Sequence, residues 1–105
     1  MNTSYDMFGV ECGPGWRKLI EPLFEQARKE GVDVLQVKEK FGGLRFYVSS
    51  ASQEFNDMID QAEHDSFEVC EQCGEPGYKD NDGGYWIRTL CDEHHKEIKK
   101  RNASL

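Results

Sequence analysis

The chain lacks most of what marks several common protein classes. It contains no run near the roughly 18 consecutive apolar residues that a membrane helix needs. Residues 1–10 do not join a positively charged segment to an apolar stretch, so they do not read as a secretory signal. The motifs H-E-x-x-H and G-x-S-x-G and the phosphate-binding P-loop are absent. Positive charge is in deficit: 13 Lys and Arg stand against 20 Asp and Glu, a formal net charge of −7. A field of that sign repels nucleic acid and anionic membranes at long range, which counts against a general nucleic-acid binder. With no export signal, a reducing cytoplasm is expected. There, four cysteines are better suited to holding a metal than to forming disulfides.

What is present suffices for a small core. Six Phe, four Tyr and two Trp accompany a hydrophobic fraction of 37 % in 105 residues, so a wholly disordered chain is not expected. A core of this size leaves little surplus stability, and short chains often add a metal to make up the difference.

Trp16, Leu19, Ile20, Leu23, Phe24 and Ala27 recur at the spacing of an amphipathic helix over about residues 16–30, with Gly31 as its stop. Pro22 is expected to kink or divide that helix. The period then shortens. Residues 32–49 read as a β-hairpin turning at Phe41-Gly42-Gly43, with Leu35 and Val37 on one face. Ser52 looks like the N-cap of a second helix over about residues 52–67, lined by Phe55, Met58, Ile59 and Ala62. Residues 1–68 thus form an expected αββα body, and residues 69–105 a second element packed on it as one domain.

That second element carries the chemistry. Cys70-Glu71-Gln72-Cys73-Gly74 is a C-x-x-C turn, and after seventeen intervening residues comes Cys91-Asp92-Glu93-His94. Paired C-x-x-C and C-x-x-H at this separation are a strong zinc signature, because each short spacing aims two ligands to one side. Between them, Tyr78-Lys79-Asp80 and Tyr85-Trp86-Ile87-Arg88 read as two strands around the turn sequence Asn81-Asp82-Gly83-Gly84. Thr89 could cap the helix that follows, with Asp92 completing a capping box. Knuckle, hairpin and helix in that order make a treble-clef-like layout, and the fold class is α+β. One structural zinc on Cys70, Cys73, Cys91 and His94 is expected, with His95 as the competing fourth ligand. Three thiolates and an imidazole close the coordination sphere, whereas catalytic zinc keeps a position open. Nucleases of this layout need a histidine on the hairpin, and none lies between Cys73 and Cys91. An enzyme is not expected.

Four further groups have plainer readings. Cys12 has no neighbouring His or basic residue to activate it and reads as structural or incidental. Lys38, Lys40 and Arg45 gather near the hairpin tip with Phe41, a candidate partner contact that could grip phosphate and stack a base. Lys96, Lys99, Lys100 and Arg101 complement the dipole at the end of the last helix. Asp57, Asp60, Glu63, Asp65 and Glu68 give the second helix an acidic face.

The segment Gln36-Val37-Lys38-Glu39-Lys40-Phe41-Gly42-Gly43-Leu44-Arg45-Phe46-Tyr47, joined to Cys70-x-x-Cys73-Gly74-x-Pro76-Gly77 and Thr89-Leu90-Cys91-x-x-His94, resembles small proteins of tailed phages, prophages and bacterial genomes. The likeness covers roughly residues 9–95. It implies a zinc-binding C-terminal element and a phage or prophage setting in a bacterial cytoplasm, and it supplies no reaction. The reading that results is a non-enzymatic binding module acting on a host protein. The alternative is a nucleic-acid-binding regulator that uses the hairpin tip and the final helix.

Overall fold

A computed structural model of the chain describes residues 4–103. The extreme ends of the two expected segments, residues 1–3 and 104–105, lie outside the described residues. The described chain is α+β, with two small antiparallel hairpins among its helices. A short helix α1 (Ser4–Phe8), not anticipated from sequence, precedes the first expected one.

Helix α2 (Arg17–Glu30) follows a single 3-10 turn at Pro14–Trp16 and buries Ile20, Leu23, Phe24 and Ala27. It ends at Gly31, whose φ of 65° is the left-handed conformation that glycine adopts without steric cost. The Gly31 amide donates to Arg28 and the Val32 amide to Ala27, which completes a Schellman cap. Pro22 does not divide this helix. Pro22 and Lys18, whose carbonyl loses its usual amide partner, are both exposed, so water can satisfy the freed group.

Strands β1 (Val34–Lys40) and β2 (Gly43–Val48) pair antiparallel. Val34 pairs with Val48 and Gln36 with Tyr47, which leaves Leu35 as the extra residue of a β-bulge. The expectation that Leu35 shares the core face of Val37 therefore fails. Val37 is 1 % exposed and Leu35 61 %, because the bulge resets the alternation and turns Val34 towards the core instead. The turn residues Phe41 and Gly42 have φ of 53° and 84°, both positive as in a type I′ hairpin.

Helix α3 (Gln53–Asp65) starts at Ser52, whose hydroxyl accepts the Phe55 amide at 3.1 Å. The same hydroxyl donates to Glu30 at 2.6 Å, tying the end of α2 to the start of α3. The core forms where Trp16, Ile20, Leu23 and Phe24 meet Val37, Leu44 and Phe46 of the hairpin and Phe55, Ile59 and Ala62 of α3. Both hairpin edges are covered. On β1, the Glu11 amide donates to the Val37 carbonyl and the Glu11 carbonyl accepts from Glu39. On β2, the Leu44 amide donates to the Ser66 hydroxyl and the Phe46 amide to the Glu63 carboxylate. Unpaired strand amides would otherwise invite another chain. Glu63 thereby leaves the expected acidic face and becomes part of the body.

After a 3-10 turn at Ser66–Glu68, strands β3 (Tyr78–Asp80) and β4 (Arg88–Leu90) form the second hairpin, and α4 (Asp92–Ala103) follows. The second strand is shorter than expected. Tyr85, Trp86 and Ile87 lie outside it and are exposed.

Candidate metal centre

The Cys70 turn is built by backbone bonds. The Cys70 amide donates to the Glu75 carbonyl at 2.7 Å, and the Gly74 amide returns to the Cys70 carbonyl at 2.9 Å. Gly74 has φ 83°, so the chain can reverse just after the second thiol. Cys91 precedes the first residue of α4, and His94 lies on its first turn. The four ligand atoms of Cys70, Cys73, Cys91 and His94 lie within 4.8 Å of one another.

The separations test whether one ion fits. The Nδ1 atom of His94 is 3.4 Å from Cys70 Sγ and 3.2 Å from Cys91 Sγ, and Cys73 Sγ is 3.8 Å from Cys91 Sγ. Tetrahedral bonds of ordinary length would set sulfur–sulfur edges near about 3.8 Å and sulfur–nitrogen edges near about 3.6 Å. The cluster is therefore geometrically suited to a single metal ion. All four cysteines, Cys12 included, are free thiols rather than disulfides.

Burial works against the Cys70 thiolate, but the amides of Cys91, Cys73 and Gln72 outweigh it and bring the thiol down to about 6. At Cys73 the Glu75 amide favours the thiolate. Desolvation and the neighbouring Cys70 and Cys91 sulfurs override that help and raise the thiol to about 11. A cation between them would favour the thiolate of both Cys70 and Cys73.

His95 lies apart from the cluster. It is 1 % exposed, with Nδ1 2.6 Å from Asp82 Oδ2 and Nε2 2.6 Å from the Tyr78 carbonyl. With both ring nitrogens engaged, neither is offered to an ion. Thr89 does not cap α4. It is buried in β4, and its hydroxyl donates to the Gly42 carbonyl at 2.5 Å. Lys99 Nζ sits 3.6 Å from Asp80, so part of the basic helix end is engaged within the element.

The metal element joins the body at three places. The Trp16 indole donates to the Val69 carbonyl at 2.8 Å. The Gly13 amide donates to the Glu71 carboxylate at 2.8 Å and the Gly15 amide to the Glu71 carbonyl at 2.6 Å. The third join is the hairpin tip, where Gly42 meets Thr89; beside it, within the body, Gly43 lies so close to Phe67 that a Cβ would fall 2.4 Å from its ring. Cys12 sits near the second of these. Burial first, then the charges of Glu71 and Glu39, push its thiol up to about 12.

The four candidate contact residues of the first hairpin do not share one environment. Arg45 lies 3.9 Å from Glu63, and Lys38 stands over the Tyr47 ring beside Phe8 and Leu35. Lys40 and Phe41 instead border a groove of about 450 Å³ with Tyr85, Trp86, Ile87 and Arg88. Sequence reasoning missed Tyr85 and Trp86 because a Tyr-Trp-Ile-Arg run has strand composition. The turn sequence Asp82-Gly83-Gly84 just before it was the available signal that the run begins as loop.

Among the described residues, no helix is long and apolar enough to cross a membrane. Comparison with protein-family models, with curated proteins and with solved structures finds no match to this chain.

Proposed function

We propose that this chain is a non-enzymatic binding module stabilised by one structural zinc ion, in a treble-clef-like element that folds as a unit with the αββα body. The convergence of Cys70, Cys73, Cys91 and His94 within 4.8 Å carries the reading. Three thiolates and one imidazole at tetrahedral spacing suit zinc among the common divalent ions. A set that supplies four protein ligands leaves no position for a reacting water. Sites of this kind contribute about 10–16 kcal/mol of apparent binding energy, which is folding energy for a domain this small.

The partner in this proposal is a protein of a bacterial host, met in the cytoplasm. The negative net charge and the phage-type likeness of the hairpin and C-x-x-C segments support it.

Native mass spectrometry with and without chelator, on the wild type and on Cys73→Ser and His94→Ala, tests the foundation. One zinc per chain, lost or weakened in both variants, is the expected result. A metal-free wild type, or full retention in His94→Ala, would overturn the ligand set.

A further inference from the structure

Phe41 occupies a position that a phenylalanine should avoid. It is the first residue of a two-residue turn with φ 53°, where glycine or asparagine sits with little strain. The residue is 69 % exposed and gains little burial in return. Across the groove stand Trp86, 75 % exposed, and Tyr85, 99 % exposed. Three large aromatic side chains left in water around one concavity, one of them on a strained backbone, are costly for folding alone.

The polar residues of the groove point to its occupant. Lys40 Nζ lies 5.7 Å from the centre of the Phe41 ring, and Arg88 borders the other side. The one acidic residue in the lining, Glu39, is committed to the turn, where its carboxylate accepts the Gly42 amide at 2.8 Å. Lys40 and Arg88 together outweigh Glu39, so the lining carries a net positive charge. It lies at the edge of an element that holds seven acidic and six basic residues from residue 70 onward, while most of the negative charge belongs to the body. Trp, Tyr and Arg around a pocket are the residue types that dominate binding energy between proteins.

We infer that the groove between the first hairpin's tip and the β3–β4 loop holds an apolar side chain of a partner protein, in a segment whose flanking residues are acidic. The inference rests on the proposed binding role and names its surface and partner chemistry. Phe41 and Trp86 would take the apolar group between them, while Lys40 and Arg88 would pair with carboxylates on either side. The two walls come from different parts of the chain. The Thr89–Gly42 hydrogen bond keeps them together, so the groove depends on the metal element being docked.

The test uses the full-length, zinc-loaded protein, isotopically labelled, with native mass spectrometry on the same sample to confirm one zinc per chain. Three probes are titrated: a capped peptide with one phenylalanine between aspartates, the same peptide with lysines for aspartates, and single-stranded oligothymidylate. The acidic peptide should saturably shift the amides of Lys40, Phe41, Trp86 and Arg88, and the lysine peptide should bind about tenfold more weakly or worse. Trp86→Ala and Phe41→Gly should each weaken binding about tenfold with zinc retained, and Phe41→Gly remains informative because glycine suits that turn. Equal binding of both peptides, preference for oligothymidylate at these amides, or no shift with any probe would overturn the inference. Loss of the zinc signal would instead strike at the proposed metal site.

Discussion

The indole nitrogen of Trp16 donates to the carbonyl of Val69, the residue just before the ligand Cys70, at 2.8 Å across 53 positions of sequence. Trp16 is fully buried, so the bond sits in the body's core while its acceptor leads into the metal knuckle. Body and knuckle should therefore respond together when metal is withdrawn. In a Trp86→Phe background, where Trp16 is the sole tryptophan, chelation should shift emission to longer wavelength as the indole meets water. An unchanged spectrum on metal loss would show that the body stands alone. Trp16→Phe should cost about 1–3 kcal/mol in urea unfolding, since it removes a long-range hydrogen bond and part of a fully buried side chain.

Gly15 makes the closest approach in this region. A Cβ there would fall 2.1 Å from the Cys70 carbonyl oxygen, which is backbone and cannot swing aside. Gly15→Ala should force the knuckle off the body, destabilise the fold by about 2–3 kcal/mol and weaken metal retention. Thermal melts with and without added zinc would read both effects. Wild-type stability in this variant would contradict the contact.

His94 and His95 should separate cleanly. His94→Ala removes a ligand and should release the metal. His95→Ala should keep one metal per chain yet lose about 3 kcal/mol, because Asp82 would remain buried without its imidazole. Metal content by native mass spectrometry, beside a denaturant curve for each variant, distinguishes the two roles.

Phe41→Gly should raise stability by about 1 kcal/mol, through relief of the positive φ, while removing one wall of the groove. A more stable protein with a weaker interaction would be the signature of strain kept for binding. A shift in the opposite direction in a chemical denaturation series would mean that the ring contributes to folding.

Cys12 should be inert in the folded protein. With its thiol raised to about 12, roughly one molecule in ten thousand carries the thiolate at pH 8. Iodoacetamide should leave Cys12 unmodified at that pH in the metal-loaded protein. Its rate should climb as pH rises towards that value, because only the thiolate attacks. Rapid labelling of Cys12 at pH 8, seen by peptide mapping, would refute its burial.

The metal cluster was legible in the sequence because its information is local. Two short spacings fix which atoms converge, and the glycine after Cys73 permits the turn. What escaped reading was decided by contacts between distant residues. Leu35 follows the alternation of its neighbours, and only its lack of a partner opposite Val48 and Tyr47 turns it outward. Thr89 has the chemistry of a helix cap, but Gly42, 47 positions earlier, takes its hydroxyl. His95 was a credible ligand by spacing, and Asp82 and Tyr78 claim it instead. Pro22 breaks helices in general. It is tolerated in α2 because its side of the helix faces water.

The contacts of Gly13, Trp16 and Gly42 also bear on the protein's synthesis. Their partners Glu71, Val69 and Thr89 lie 58, 53 and 47 positions later. While the body emerges from a ribosome, those groups have nothing of the chain to bond, and the tip of the first hairpin waits for a strand not yet made. The last ligands, Cys91 and His94, appear later still. With a metal bound as proposed, maturation would end with its capture, and a cell short of that metal would accumulate a nearly finished chain open to proteolysis. Abundance of the protein would then follow metal supply even at constant transcription.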